Sequence, residues 1–312
     1  MKYKDLLTSN KVYYLNNGLD ISNGCAVAVG NFDGVHLGHK ALLGSLVAEG
    51  KRLGVPCAVV SFDPLDNPKN APLLATQNQK MRLLKEIGVD FVVSLSYSEL
   101  RNVTARDFVL EFLYGTLSVK SIVCGYDFRF GKDRAGDVAL IKQLLPNEVA
   151  VITPDIVKIN GNTVSSTLIR SLLSSGDIKT ANMLLGREFS FEAEVVHGAK
   201  LGRNLGFPTI NQIYPASLAK LPYGVYATRT VFEDGKAYNS VSNFGVKPTV
   251  NGTDPILETH LLGFDGDCYG KILTVYFVDF IRKEQKFSSL DELKQQIERD
   301  KITALSILSK GE

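Results

Sequence analysis

Cysteine is scarce in this 312-residue chain, and its four copies, Cys25, Cys57, Cys124 and Cys268, form no C-x-x-C pair. That removes the usual signature of a zinc or dithiol site. Three of the four sit in apolar runs, which predicts buried, reduced thiols in a cytoplasmic protein. Charge of one sign is not in excess: the formal net charge is +2, too little to coat a nucleic-acid backbone. No apolar run approaches the length of a membrane span. The opening residues Met1-Lys2-Tyr3-Lys4-Asp5 hold no apolar signal core. The expectation is no nucleic-acid partner, no membrane insertion and no export. Internal repeats and low-complexity segments are absent too. So are G-x-x-x-x-G-K-[ST] and the protein-kinase motifs, so any phosphate chemistry needs another cradle.

What is there is a globular composition, 45% apolar and 22% charged, in a chain long enough for two domains. The first half alternates strands and helices. Strands are predicted at Cys25–Gly30, Ala58–Phe62, Phe91–Leu95 and Ser121–Cys124. Helices are predicted at Gly38–Leu53, Asn78–Ile87 and from the cap Thr104 to about Tyr114. Apolar strands separated by amphipathic helices imply a parallel sheet covered on both faces, with ligands beyond the carboxyl ends of the strands. Short helices over Thr167–Leu173 and Ile178–Leu185 join the halves. Beyond them the pattern is mainly β. Strands at Glu192–Val196, Tyr223–Val231, Tyr238–Phe244 and Ile272–Phe280, with a hairpin turn at Glu233–Lys236, suggest an antiparallel barrel. An amphipathic helix capped by Ser289 runs from there to Leu308.

Two of the four histidines lie in Gly30-Asn-Phe-Asp-Gly-Val-His-Leu-Gly-His39, directly after the first strand. His36 and His39 are three apart, so both imidazoles share one helical face beside the free amides of a helix start, where an anion is favoured. Phosphate is the candidate ligand, and Gly30, Gly34 and Gly38 allow close backbone approach. Gly125-Tyr-Asp127-Phe128-Arg-Phe-Gly131 follows the fourth strand; alone, a strand running past a turn explains it as well. Ser165-Ser166-Thr167-Leu-Ile-Arg170 opens a helix with hydroxyls and a cation, an anion site or an ordinary serine cap. In the second half, the loop His197–Asn211 carries Gly198, Lys200, Gly202 and Arg203. It ends with Thr209 and Asn211 alternating on one side, hard oxygen donors suited to Mg²⁺ on ATP phosphates. A Gly-rich turn with a polar edge is the competing reading. Glu258, in a strand-like run, can take a proton from a substrate hydroxyl or simply be solvated.

Together these segments resemble the bacterial bifunctional riboflavin kinase/FMN adenylyltransferase (FAD synthetase) family. The shared motifs are Gly-x-Phe-Asp-Gly-x-His-x-Gly-His, Gly-x-Asp-Phe-x-Phe-Gly and Ser-Ser-Thr-x-Ile-Arg in the first half. In the second they are Gly-Arg-x-Leu-Gly-Phe-Pro-Thr-x-Asn (Gly202–Asn211), Asn-x-Gly-x-x-Pro-Thr (Asn243–Thr249), Phe-x-Gly-Asp-x-Tyr-Gly-Lys (Phe264–Lys271) and Ile281-Arg282-x-Glu284-x-x-Phe287. The resemblance implies a Rossmann-like nucleotidyltransferase domain over residues 1–185 and a six-stranded riboflavin-kinase barrel with a terminal helix over 186–312. It implies riboflavin, FMN, FAD and ATP as small-molecule substrates or products, with Mg²⁺. His36, His39 and Glu258 would be catalytic. Gly30, Phe32, Asp33, Gly34, Ser166, Thr167, Arg170, Gly198, Lys200, Gly202 and Arg203 would bind nucleotide phosphates. Asp127, Phe128, Arg282, Glu284 and Phe287 would bind flavin, and Thr209 and Asn211 the metal. One departure stands out. Where the family has Phe-x-Pro-His-Pro, this chain reads Phe62-Asp63-Pro64-Leu65-Asp66, and leucine donates no hydrogen bond. A charge-assisted bond is worth ~1.5–3 kcal/mol, so a slower adenylyltransferase is expected. The alternatives are a riboflavin kinase with a weakened or lost adenylyltransferase site, and a non-catalytic flavin- or nucleotide-binding regulator.

Overall fold

The computed structural model describes residues 11–16, 19–63, 71–198, 206–246 and 255–309. Leu65, Lys200, Gly202, Arg203 and Thr249 therefore lie outside the described residues. The chain forms two compact units, one of residues 1–71 and 77–164, the other of 72–76 and 165–312.

The first unit is built on a six-stranded sheet: β1 (Lys11–Tyr14), β2 (Cys25–Val29), β3 (Cys57–Phe62), β4 (Phe91–Leu95), β5 (Val119–Val123) and β6 (Ala150–Ile152). Their order is β1-β4-β3-β2-β5-β6. The four expected strands are parallel, and β6 extends them. The sheet is not wholly parallel, however: β1 runs antiparallel along β4. Neither β1 nor β6 was foreseen, because a short edge strand carries too few residues to show a pattern. Every residue of β2 and β4 is buried, as expected of strands covered on both faces. Helices α1 (Leu37–Leu53) and α2 (Gln77–Ile87) match their apolar stripes. Thr104 caps as expected, accepting from Asp107 N–H at 3.1 Å. After one turn the helix continues as α3, a π-helix over Phe108–Thr116. Helix α4 (Val138–Leu144) leads to β6, and the two-residue strands β7 (Lys158–Ile159) and β8 (Asn162–Thr163) pair beyond it.

The second unit begins with α5 (Ser166–Ser175) and α6 (Ile178–Leu185), each ended by a left-handed glycine, Gly176 or Gly186. A closed six-stranded barrel follows: β9 (Phe189–Val196), β10 (Ile210–Ile213), β11 (Gly224–Val231), β12 (Ala237–Val246), β13 (Pro255–Leu261) and β14 (Ile272–Lys283). All its neighbouring pairs are antiparallel. The β11–β12 hairpin turns at Glu233–Lys236, where Gly235 adopts φ 84°. Inside, Thr228, Ser240, Ser242 and Thr259 form a fully buried ladder of hydroxyl hydrogen bonds 2.7–2.9 Å long. Helix α7 (Leu290–Leu308) starts at its predicted cap, Ser289, and packs Ala304 and Leu308 into the barrel's apolar cluster.

All four cysteines are free and buried, as read from their settings. Burial pushes the Cys25 thiol up to about 12. Among the described residues, no helix is long and apolar enough to cross a membrane.

Candidate functional site

In the first unit the chain steps from β2 outward to β3 and β4, then returns to β5 on the other side of β2. The strand order therefore reverses between β2 and β5, and in such sheets ligands sit beyond the carboxyl ends at that reversal. The segments that leave these two strands are the histidine turn and the Gly125–Gly131 loop.

The turn after β2 is held in unusual backbone. Gly34 has φ 76°, and the non-glycine residues Phe32 and Val35 have φ 48° and 42°. A buried, β-branched valine in that region is strained, the kind of cost a fold retains where geometry matters. The result is that His36 emerges extended as the N-cap of α1, with its Nδ1 accepting from His39 N–H at 3.2 Å. That bond leaves the proton of a neutral His36 on Nε2. The two rings stack with centroids 3.5 Å apart, and Phe32 meets His39 edge-on at 5.3 Å. His39 is partly accessible, but its Nδ1 is buried and without a hydrogen-bond partner among the described residues. Burial first, then the charges of His36 and Lys80, hold His39 well below the ordinary histidine range. It is thus a neutral ring at neutral pH, able to offer one N–H. Asp33, in the same turn, is half-buried.

Asp127 is exposed just past the end of β5, while Phe128 stacks on Phe130 at 5.2 Å and packs against the core. Ser166, Thr167 and Arg170 belong to the second unit. There Ser165 caps α5 by accepting from Leu168 N–H at 3.3 Å, and Arg170 Nε donates to the Pro72 carbonyl at 2.6 Å.

In the barrel, register brings separated residues into one row. Asn211 of β10 is directly opposite Glu258 of β13, and Glu258 is directly opposite Asn243 of β12. The row continues through Val225 of β11 to Arg282 of β14. Residues directly opposite in an antiparallel pair share a face, with Cβ atoms about 4.5–5.5 Å apart. Thr209 and Asn211 line a cleft of ≈ 210 Å³ together with Asp265, Asp267 and Tyr269. Gly198 lies against Asn211 so closely that a Cβ there would meet its amide. Arg282 donates to both carboxylate oxygens of Asp300 on α7 at 2.7–3.1 Å, donates to the Lys283 carbonyl, and stands 5.8 Å over the Phe287 ring. Much of its donor capacity thus ties β14 to the terminal helix. The Glu284 carboxylate abuts Gly245, where a Cβ would collide with it.

The sequence reading missed three elements. His260 Nδ1 bonds the Pro208 carbonyl at 2.8 Å and so anchors the residue before Thr209. Its signal was its spacing, two residues beyond Glu258 and therefore on the same face. The Asp265–Tyr269 loop was visible as a motif but received no role. Lys80 received no reading, although it stands one turn before the buried Leu84 on the apolar face of α2.

Comparison with known proteins agrees with this division. The FAD synthetase family model matches residues 19–168, and the riboflavin kinase family model matches residues 185–308. A bifunctional riboflavin kinase/FMN adenylyltransferase of Escherichia coli strain K12 is 39% identical over 288 residues, 90% of this chain and 92% of that protein. One from Haemophilus influenzae is 37% identical over 303 residues, 93% of this chain and 96% of its own length. Among solved structures, a macrolide-efflux protein from Streptococcus pneumoniae matches with a TM-score of 0.82 and 27% identity, covering 94% of this chain and 97% of that one. With both family models matched in order and such identity along nearly the whole length, the chain belongs to the bifunctional riboflavin kinase/FMN adenylyltransferase family.

Proposed function

We propose that this chain, an enzyme of FAD biosynthesis, carries out the two reactions with two separate sets of residues. In the barrel, Glu258 takes the proton of a riboflavin hydroxyl as that oxygen attacks the γ-phosphorus of ATP, giving FMN and ADP. Thr209 and Asn211 would hold Mg²⁺ there. Their hydroxyl and amide oxygens are hard donors on one cleft wall, and the ATP phosphates would complete the shell. The ion, when bound, neutralises charge on the phosphates. Gly198, with Lys200, Gly202 and Arg203, covers the phosphates; Arg282, Glu284 and Phe287 border the flavin.

In the α/β unit an FMN phosphate oxygen attacks the α-phosphorus of a second ATP, and pyrophosphate leaves. No covalent enzyme intermediate is needed. His36 and His39 offer N–H groups to the phosphate oxygens, with Gly30, Phe32, Asp33 and Gly34 shaping the turn around them. Asp127 and Phe128 border the flavin, and Ser166, Thr167 and Arg170 bind the triphosphate. We assign adenylyl transfer to residues 1–185 and phosphorylation to 186–312. Four free, buried cysteines support a cytoplasmic setting.

The observation that carries the reading is the cross-strand row Asn211–Glu258–Asn243, which sets a carboxylate between two amides beside the Thr209 cleft. The test is to incubate the pure chain with riboflavin, ATP and Mg²⁺ and to separate the flavins over time. FMN appears first and is then converted to FAD with release of pyrophosphate. FMN alone, with none consumed, would leave only the kinase; no new flavin at all would favour a binding protein.

A further inference from the structure

Lys80 is the most unusual charged residue of the first unit. Its side chain lies in the interior, with only 6% of the residue exposed. Its Nζ donates to Ser61 Oγ at 2.5 Å, and Ser61 Oγ donates to the Asn31 carbonyl at 3.2 Å. Asn31 in turn accepts from the Tyr97 hydroxyl at 3.2 Å through its Oδ1. The ammonium is thus wired through one serine to the first residues of the strained histidine turn. Among the described residues no carboxylate is in ion-pair contact with it. Asp33 of the turn and Asp63 beyond β3 act on it at longer range, and its charge is felt by His39, which stacks on His36.

An ammonium is an expensive way to hold a serine. A neutral donor would hold Ser61 without the penalty of a buried charge. A buried charge with no ion-pair contact among the described residues, hydrogen-bonded through one serine to a strained turn, is a candidate for function rather than stability. Two stacked imidazoles cannot both be cationic at low cost, and His39 is neutral, so the pair provides donors rather than two positive charges. Positive charge close behind the imidazoles must come from another side chain, and Leu65 cannot provide it.

We propose that Lys80 is a positioning residue of the adenylyl-transfer site: its ammonium provides the fixed positive charge behind His36 and His39, transmitted through Ser61 and Asn31. The inference rests on the reading of the histidine turn as that site. Burial pushes the Lys80 ammonium down to about 8, with Asp33 and Asp63 opposing the shift. The charge is therefore present below that pH and lost above it. The groups facing it are Asp33 from the turn, Asp63 from the end of β3, and His39 from the first turn of α1, with His36 stacked on His39.

The experiment measures FMN conversion to FAD by the full chain from pH 6 to 9.5, with riboflavin phosphorylation followed in parallel. The wild type should lose FAD synthesis as pH rises through about 8. Lys80→Gln keeps a donor for Ser61 but removes the charge. It should slow FAD synthesis about ten- to hundredfold, abolish that alkaline limb, move the NMR titration of His39 upward, and leave riboflavin phosphorylation unchanged. A Lys80→Gln enzyme with wild-type FAD synthesis and an unchanged profile would overturn the inference. So would a wild-type profile that stays flat through pH 9.5, which needs no variant to fold. His39→Ala separates the two levels. If that variant still makes FAD at the normal rate, the site reading itself fails; if it is inactive while Lys80→Gln is not, only the role of Lys80 fails.

Discussion

At Gly198 the absence of a side chain has a direct structural use. The Asn211 amide occupies the space a Cβ would take, so any other residue must push that amide away from the Thr209 cleft. Gly198→Ala should therefore fold, because the displaced group is a side-chain end rather than backbone. It should lower kcat/KM for riboflavin phosphorylation roughly tenfold, the equivalent of about 1.4 kcal/mol of lost positioning. Conversion of supplied FMN to FAD should be unaffected. Steady-state assays of the two reactions on the same preparation check this; equal loss in both would show a folding defect instead. Residue types in this site were legible in the sequence, because Asn211 and Glu258 are chemically apt wherever they occur. Their being opposite one another was not: 47 positions separate them, and only the register of β10 on β13 joins them. His260 and Lys80 went unread for the same reason. Each acts through a partner distant in sequence, the Pro208 carbonyl and the Ser61 hydroxyl.

At the scale of elements, strand β14 and helix α7 are joined by a buried ion pair beside the apolar contacts of Val278 and Ile281 with Ala304 and Leu308. Asp300 is 3% exposed and receives Arg282 through two nitrogens, with Gln296 Nε2 donating to the same carboxylate at 2.9 Å. Removing one partner of a buried pair leaves the other uncompensated and typically costs 3–5 kcal/mol. Arg282 keeps 20% of its side chain exposed, so water offsets part of that. Asp300→Asn should destabilise the barrel unit by about 3 kcal/mol in urea titrations of the full chain, followed by a barrel probe because two units need not unfold together. It should also weaken riboflavin phosphorylation, since freeing Arg282 disturbs one end of the row that holds Glu258. A barrel transition unmoved in urea would contradict this account of the contact. Long elements were readable because their apolar spacing repeats. Helix α7 was foreseen from its cap and stripe, and β11 and β12 from their alternation around Gly235. Short β1 and β6 were not, and β10 was read only as an extended segment through Thr209 and Asn211; β1 reversed the expectation of a wholly parallel sheet. The π-helix after Thr104 also carries the same apolar spacing as an α-helix, so sequence alone does not distinguish the two.

For the whole molecule, the proposed function makes the histidine turn and the Glu258 row independent reaction centres in one chain. Both domain types were legible because motifs with distinct chemistry occur in order, each family model covering its own half. The boundary was less legible. The change from βα alternation to strands falls near residue 185, whereas the compact units divide between Val164 and Ser165, and residues 72–76 belong to the barrel's unit although they lie within the first half of the sequence. Leu73 exchanges backbone hydrogen bonds with Ser217 and Ala219 at 2.7–2.8 Å, a pairing no local pattern predicts. The most direct test of independence is complementation between two full-length variants supplied with riboflavin, ATP and Mg²⁺. Glu258→Gln alone should leave riboflavin unchanged yet convert added FMN to FAD. His39→Ala alone should accumulate FMN. Mixed together, the two should make FAD from riboflavin, FMN released by one being adenylylated by the other. If Glu258→Gln also fails on supplied FMN, or if the mixture stops at FMN, the two sets of residues are not separate centres and the account is wrong.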